Sequence, residues 1–463
     1  MSAKAIYRTV WRWHFYAGLL VKPLILVLAL SGAAYLFKPQ IERWEERSFQ
    51  QQPVAGTVLA SAQVAAAQAA LPGAKFIFYR LPERPGDAAM VHLALPGHAG
   101  MRDVFVSPQG RVLGSLDPDA RIIAWDRKVH GQLLLGRPGS WLVELAASWA
   151  IVMILSGLYL WWPRGTGLAG VVWPRWTAHG RPFWRDLHAV AGFWVSSLAL
   201  VLLITGLPWA DVWGSAFKAV RAEMGWVKGR QDWTVGGRPA GGAGNLHAEH
   251  DHAAMMQAMP GMAHDTPARF DPVRFDAMVD HAHAEQLAFP AVVVPPGAPA
   301  GEGGAGKPAT GWVVKSEAQD RPLRLTLRYD AGNGALVARE DFASRHPIDK
   351  VVAVGVAWHE GQLFGWVNQL IGLLTALMLV TLVVSGFVMW RRRKPESGLG
   401  APPALTGPVW PRGWGFRVLA LFLLVWLPLF TLSLVTVALV ERLVLPRLPG
   451  LSRWLGIPAR VPG

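Results

Sequence analysis

Cysteine is absent from the 463 residues. That excludes disulfides, thiolate zinc and iron–sulfur sites, Cys nucleophiles and covalently attached c-type haem, which needs a C-x-x-C-H sequence. Any bound metal is left with His, Met, carboxylate or backbone ligands. Charge is also scarce, at 16% of residues, against roughly 25% in an average soluble chain. Tyrosine is scarce too, with 6 residues, while tryptophan is abundant, with 24. Length alone would suggest two or three soluble domains. A 52% hydrophobic composition rich in Trp points instead to a chain anchored at membrane–water boundaries. Acidic residues, 31 against 45 Lys and Arg, leave a formal charge of +14. Placement of the charges decides what that means.

Five apolar stretches, 15–37, 141–162, 189–210, 366–390 and 416–440, reach the about 20 helical residues that a bilayer requires. The first resembles a secretory signal, but its apolar core exceeds the roughly 7–15 residues of a signal peptide's apolar region. It also belongs to a repeat described below, so it is expected to be retained. Lys4, Arg8 and Arg12 precede the first stretch. Arg164, Arg175, Arg181 and Arg185 lie between the second and third, and Arg391, Arg392, Arg393 and Lys394 close the fourth. Alternating spans bring all three sets to one side, the cytoplasm. The basic balance therefore reads as topology, not as nucleic-acid binding. One group resists: if the fifth stretch crosses, Arg442, Arg447, Arg453 and Arg460 lie outside.

The expected order is a first span to 37, an outer segment 38–137, a span 138–163, a cytoplasmic loop 164–187 and a span 188–210. A second outer segment 211–362, a span 363–391, a loop 392–415, a span 416–441 and a tail 442–463 follow. Each outer segment reads as α+β. Residues 60–70 predict a helix and 104–113 a strand–turn–strand. Residues 273–286 predict a second helix and 325–337 a second strand–turn–strand, with Asn333-Gly334 as the turn signal. Residues 236–265 and 295–308 have the composition of disordered insertions.

The spans repeat. His14 is followed by Gly18 and then Ser31-Gly32. His188 is followed by Gly192 and then Thr205-Gly206, at the same intervals. His130 precedes Ser156-Gly157 as His359 precedes Ser385-Gly386. Gly136 matches Gly365, and Trp161 matches Trp390. The expected architecture is a duplicated unit of span, outer domain and span. Parallel repeats are related by an axis along the membrane normal. That relation pairs His14 with His188 near the cytoplasmic face and His130 with His359 near the outer face.

Polar side chains in or beside hydrocarbon are costly and usually carry function. Two facing imidazoles suit a six-coordinate haem iron, whose macrocycle supplies the other four bonds. Gly18 and Gly192 leave room for a flat group against the helix, or else allow close helix packing. Zinc is less suited, because two His are too few for a tetrahedral site. Asp186 and Glu360 have no counterpart in the other repeat. Lys22, and beside it Arg8, Arg12 and Arg185, are candidates to neutralise haem carboxylates; their alternative role is positive-inside placement and snorkelling.

Other signals stand apart from this frame. His247, His250, His252, Met255, Met256, Met259, Met262 and His264 form a dense cluster suited to copper. Its alternative reading is a weakly metal-binding insertion, and His281 and His283 are marginal to it. The run GEGGAGK at 301–307 imitates a phosphate loop. It ends in Pro308 where Ser or Thr is needed, and no strand-to-helix transition surrounds it. The run is therefore not read as a nucleotide-binding site. His92, His98, His179 and His346 show no partner spacing and are expected in loops or at the surface.

Trp11-x-x-His14-x-x-x-Gly18, His188-x-x-x-Gly192, the two later histidines and the Ser-Gly and Trp-Pro-Arg or Trp-Arg-Arg span ends resemble the PepSY-associated transmembrane family. The strand–turn–strand runs look like the ends of PepSY modules. The resemblance covers about residues 4–396. It includes iron-regulated inner-membrane proteins and ferric-siderophore reductases. It implies two non-covalent b-type haems and electron transfer from a cytoplasmic or quinone-pool donor to a periplasmic acceptor. The expected protein is thus an α-helical, multi-pass inner-membrane protein with two periplasmic α+β PepSY-like domains, an oxidoreductase acting on ferric siderophores. Two competing readings are a copper- or other metal-handling membrane protein and a non-redox PepSY regulator.

Overall fold

A computed structural model describes residues 3–163, 167–226, 270–299, 308–402 and 414–457. Its principal helices are α1 (Ala3–Tyr35), α2 (Lys38–Glu45), α3 (Ala60–Ala70), α4 (Ile122–Gln132), α5 (Arg137–Trp161), α6 (Arg181–Gly206) and α7 (Asp211–Glu223). They continue as α8 (Pro272–Ala284), α9 (Pro347–His359), α10 (Trp366–Arg393), α11 (Trp414–Trp426), α12 (Pro428–Leu439) and α13 (Pro449–Trp454). The strands are β1 (Lys75–Arg80), β2 (Ala89–Ala94), β3 (Met101–Val106), β4 (Val112–Leu116), β5 (Ala291–Val294), β6 (Trp312–Ser316), β7 (Thr326–Tyr329) and β8 (Leu336–Glu340). The chain divides into two compact units.

The first unit, Met1–Ala33, Gln132–Trp213 and Leu370–Gly463, is helical. α1, α5, α6 and α10 are long and apolar enough to cross a membrane. α5 and α6 open alike: Gly136 and Gly180 take positive φ, and Pro138 and Pro182 enter the first turn, where a missing N–H costs nothing. Trp162, Trp366 and Trp414 stand exposed at or beside helix ends, as interfacial anchors do.

The fifth candidate span differs from the stretch expected at 416–440. It runs Pro428–Arg447, and Trp414–Trp426 is a separate shorter helix. The cause is Pro428, which has no N–H to give the Leu424 carbonyl. Thr431 Oγ1 donates to that carbonyl instead, at 2.6 Å. A hydroxyl replacing the lost donor is what a break inside hydrocarbon requires. α12 packs on α5 through Phe430 against Trp149, while Trp149 Nε1 donates to Ser433 Oγ at 3.0 Å.

The chain then returns to where it left. Arg12 of α1 donates to the carbonyls of both Pro402 and Gly456, at 2.5 and 2.8 Å. Tyr16 donates to the Leu455 carbonyl, and Leu399 N donates to Trp454 O. Between 402 and 454 the chain therefore makes no net crossing of the bundle. Arg453 lies at the end that holds Arg12, and Arg460 lies outside the described residues.

The second unit, Ala34–Gly131 and Gly214–Gln369, contains a single eight-stranded sheet of order β4-β3-β2-β1-β5-β6-β7-β8. The two segments expected as separate domains share it. Each supplies four antiparallel strands. β1 joins β5 antiparallel through Tyr79↔Val293 and Arg80↔Val292. Left apart, each half would present β1 or β5 as an open edge; pairing removes both. α3 and α8 cover one face. Val64, Ala67, Phe275 and Met278 meet Tyr79, Val91, Leu93, Val104, Val293, Trp312 and Leu327, all buried. Full burial of each large apolar side chain is worth about 1.5–3 kcal/mol. Asp276 of α8 ties the two helices by accepting from Ser61 N and Oγ of α3.

Buried ion pairs fix the helices around the sheet. Arg121, just before α4, pairs with Glu45 and Glu46 at the end of α2. Arg221 of α7 pairs with Asp349 of α9 at 2.7 Å. The same tie recurs with its charges reversed. The ends of the 295–308 segment are ordered, with Pro299 bridging Pro308. Residues 236–265 and 301–307 lie outside the described residues.

Candidate metal-ligating histidine pairs

His14 of α1 and His188 of α6 each meet a Ser-Gly step on a neighbouring helix. His14 Nδ1 lies 2.9 Å from Ser156 Oγ of α5. His188 Nδ1 lies 3.0 Å from Ser385 Oγ and 3.1 Å from the Leu382 carbonyl of α10. The direction of these bonds follows from the hydroxyls. Ser156 Oγ donates its one hydrogen to Met153 O, and Ser385 Oγ donates to Thr381 O. Each can therefore only accept from the imidazole, and the Leu382 carbonyl can only accept. Both rings carry hydrogen on Nδ1, which leaves the Nε2 lone pair for a metal.

The adjoining glycines make room for the rings. A Cβ on Gly157 would stand 3.3 Å from His14 Cε1, and one on Gly386 would stand 3.4 Å from His188 Cε1. Ser-Gly is thus one device: the serine orients the imidazole and the glycine admits it. Gly18 and Gly192 face side-chain tips, Met153 Cε at 3.3 Å and Leu382 Cδ2 at 3.5 Å from the built Cβ. Close helix packing is the role seen for them. Among the four cation candidates, Arg12 binds the two carbonyls described above and Arg185 pairs with Asp186. Arg8 is exposed. Lys22 lies against Gly386, beside the His188 ring.

His130 and His359 come together at the ends of α4 and α9. Their ring centres are 6.4 Å apart, with planes at 74°. Two imidazoles on opposite sides of one metal, at about 2 Å per bond, have ring centres about 6 Å apart. α9 stops after His359 because Gly361 takes φ +75°. Gly361 N bonds Trp358 O and Gln362 N bonds Ala357 O, the two bonds of a Schellman stop. Glu360, next to the histidine, is buried and pairs with buried Arg321 at 3.2 Å. Asn368 holds the same turn by donating to Trp358 O and accepting from Leu363 N.

Asp126 lies one turn before His130 on α4. Its Oδ2 is buried without a hydrogen-bond partner among the described residues, and burial pushes its carboxyl up to about 6. An aspartate on a polar helix carries no spacing signal, so Asp126 is not legible in the sequence. The Ser-Gly steps are legible there as repeat marks, but not as the groups that hold the histidines. Their equal interval from His130 and His359 was the signal available.

The other histidines divide. His92, expected in a loop or at the surface, is buried in β2, its Nδ1 2.7 Å from Asp103 Oδ1 of β3, directly opposite it in the sheet. It stacks on Phe78. A buried polar cross-strand pair leaves no period in the sequence. His346 caps α9 by accepting from Ile348 N, and His281 stacks on Tyr329. His179 is exposed. The His247–Met262–His264 cluster, His250, His252, Met255, Met256 and Met259 included, lies outside the described residues. Among the described residues no three His, Cys, Asp or Glu side chains gather as a metal site.

Five helices among the described residues are long and apolar enough to cross a membrane, which defines an integral membrane protein. The sequence matches the family described as the PepSY-associated TM region over residues 11–393. The chain belongs to that family. No curated protein sequence matches it.

Proposed function

We propose that the chain is a di-haem b electron-transfer protein of the bacterial inner membrane, carrying electrons outward to reduce a ferric siderophore. The observation that carries the reading is the matched orientation of His14 and His188, each with Nδ1–H given away and Nε2 left bare. His14 with His188 would hold one haem, and His130 with His359 the other. Bound haem would supply the one-electron couple, which the protein's side chains lack. The chain's own work is to fix the four imidazoles, to exclude water around the first pair and to keep the ligand tautomer. The Lys and Arg sets at the start of α1, around the start of α6 and at the end of α10 support an N-terminus in the cytoplasm. A donor on that side, or in the quinone pool, and an acceptor outside complete the reading. Iron would be released because Fe(II) binds hard oxygen chelators less well than Fe(III).

The test is the absorption spectrum of the purified membrane protein. Two low-spin haems, extractable into acidified organic solvent, are expected. His14→Ala and His188→Ala should perturb one of them, and His130→Ala and His359→Ala the other. Absence of haem, or a haem shared by His14 and His130, would overturn the reading.

A further inference from the structure

Among the Lys and Arg residues of α1, α5, α6 and α10, Lys22 alone lies well inside a helix, in the middle third of α1. Its Cε and Nζ both come within 3.0 Å of the point where Gly386 would carry a Cβ, and His188 Cε1 within 3.4 Å of the same point. The ammonium and the imidazole thus share one glycine. No hydrogen bond or ion pair holds Lys22 among the described residues. No carboxylate of these four helices is available to it. α1 and α10 contain none. Glu144 of α5 accepts from Val212 N and Trp213 N, and Asp186 of α6 is held by Arg175 and Arg185.

Lys22 also breaks the correspondence between the halves. His14, Gly18 and Lys22 follow at four-residue intervals, as do His188, Gly192 and Ser196. Where α1 has the cation, α6 has a hydroxyl that donates to Gly192 O at 2.5 Å. Packing alone does not call for a lysine at one of two matching positions. An uncompensated charge in hydrocarbon is costly and marks function.

We propose that Lys22 is a positioning charge that sets the electron affinity of the His14/His188 site. The inference rests on the haem reading above and names what regulates that site. Taking up one electron lowers the net charge of the site by one. A fixed cation beside it, in low dielectric, stabilises the reduced state. On the helices that carry His130 and His359 the lysines are engaged elsewhere, Lys128 with Asp119 and Lys350 with the Ala343 carbonyl, so the two sites are made unequal.

Potentiometric titration of the purified holoprotein, followed by absorption, tests this. Lys22→Met keeps the length of the side chain and removes its charge, while Lys22→Arg keeps the charge. In Lys22→Met the haem assigned to His14/His188 should become harder to reduce. A roughly tenfold fall in its reduced-to-oxidised ratio at fixed potential is expected, or 59 mV for a one-electron couple. The other haem should keep its potential, and Lys22→Arg should stay near wild type. Both spectra intact at unchanged potentials in Lys22→Met, or equal shifts of both haems, would overturn the proposal. So would loss of the first haem from Lys22→Met, Lys22→Gln and Lys22→Arg alike, since shape and not charge would then matter. A wild-type protein without haem is a different failure: it sinks the functional reading before any Lys22 variant is made.

Discussion

At the residue scale, the two serines differ in a way that can be measured. His188 Nδ1 has two acceptors, Ser385 Oγ and the Leu382 carbonyl. Among the described residues His14 Nδ1 has Ser156 Oγ alone. Loss of an outer partner of a metal-bound histidine typically costs 10- to 100-fold in affinity. Ser156→Ala should therefore weaken haem retention at the first pair by about tenfold or more, while Ser385→Ala is buffered by the carbonyl and costs less. Competition with apomyoglobin would read both; equal losses would show that the carbonyl does not substitute. Asp126 offers a pH signature. Its carboxyl is raised from the ordinary 3.8 to about 6 by burial, so the protonated form is the one that folding favours. The stability it contributes is complete below about pH 4 and is lost as pH rises through about 6. Asp126→Asn should remove that slope and stabilise the protein above pH 6, by on the order of 1 kcal/mol after allowing for solvent screening. Thermal melts in detergent between pH 4 and 7 would show it. An unchanged slope in the variant would assign the pH dependence to another group.

At the element scale, what the sequence revealed was whatever has a period or a length. α3 lies at the residues expected for it, and α8 starts and ends within two residues of its expected bounds. Four of the five spans are visible as long apolar runs, two of them with one charged residue each, Lys22 and Glu144. The fifth has different bounds because hydropathy is blind to a missing N–H: 416–440 carries only Arg417 as a charge, yet Pro428 divides it and Thr431 repairs the break. Pairing of β1 with β5 was hidden for another reason. Non-local strand pairing is settled by which edges meet, and short apolar strands look alike. The Gly361 stop was legible only as a glycine. Its φ of +75° and a built Cβ 2.6 Å from Leu36 Cδ2 show two separate reasons for it. Gly361→Ala should destabilise by about 1–2 kcal/mol from the backbone alone, with the Leu36 contact adding to this. It should also disturb the haem at His130/His359 selectively. Gly97 has φ +66° with nothing within 4 Å, so Gly97→Ala carries the backbone cost alone and serves as the reference. Equal effects of the two on the haem spectrum would remove any role for the Leu36 contact in aiming His359.

At the scale of the whole molecule, the C-terminal region decides how many times the chain crosses. A single fifth crossing would carry the terminal arginines away from the Lys4, Arg8 and Arg12 side, against the positive-inside tendency. The hydrogen bonds resolve the conflict, since Arg12 grips Pro402 and Gly456 together and Tyr16 holds Leu455. A guanidinium with both carbonyls in reach forces the departing and returning segments to one end of the bundle. The chain's lack of cysteine makes this testable without background labelling. Lys4 is exposed near the start of α1, and Gly450 is exposed in α13 with open space around it. Lys4→Cys and Gly450→Cys should each react with a membrane-impermeant maleimide, because an exposed thiol is partly thiolate near neutral pH. In sealed vesicles of one orientation both should label, and in vesicles of the opposite orientation neither should until detergent is added. Labelling of one position from each side would mean an odd number of crossings between them. That result would require the Arg12 bonds to Pro402 and Gly456 to be broken in the membrane, and the two ends of the chain to lie on opposite faces.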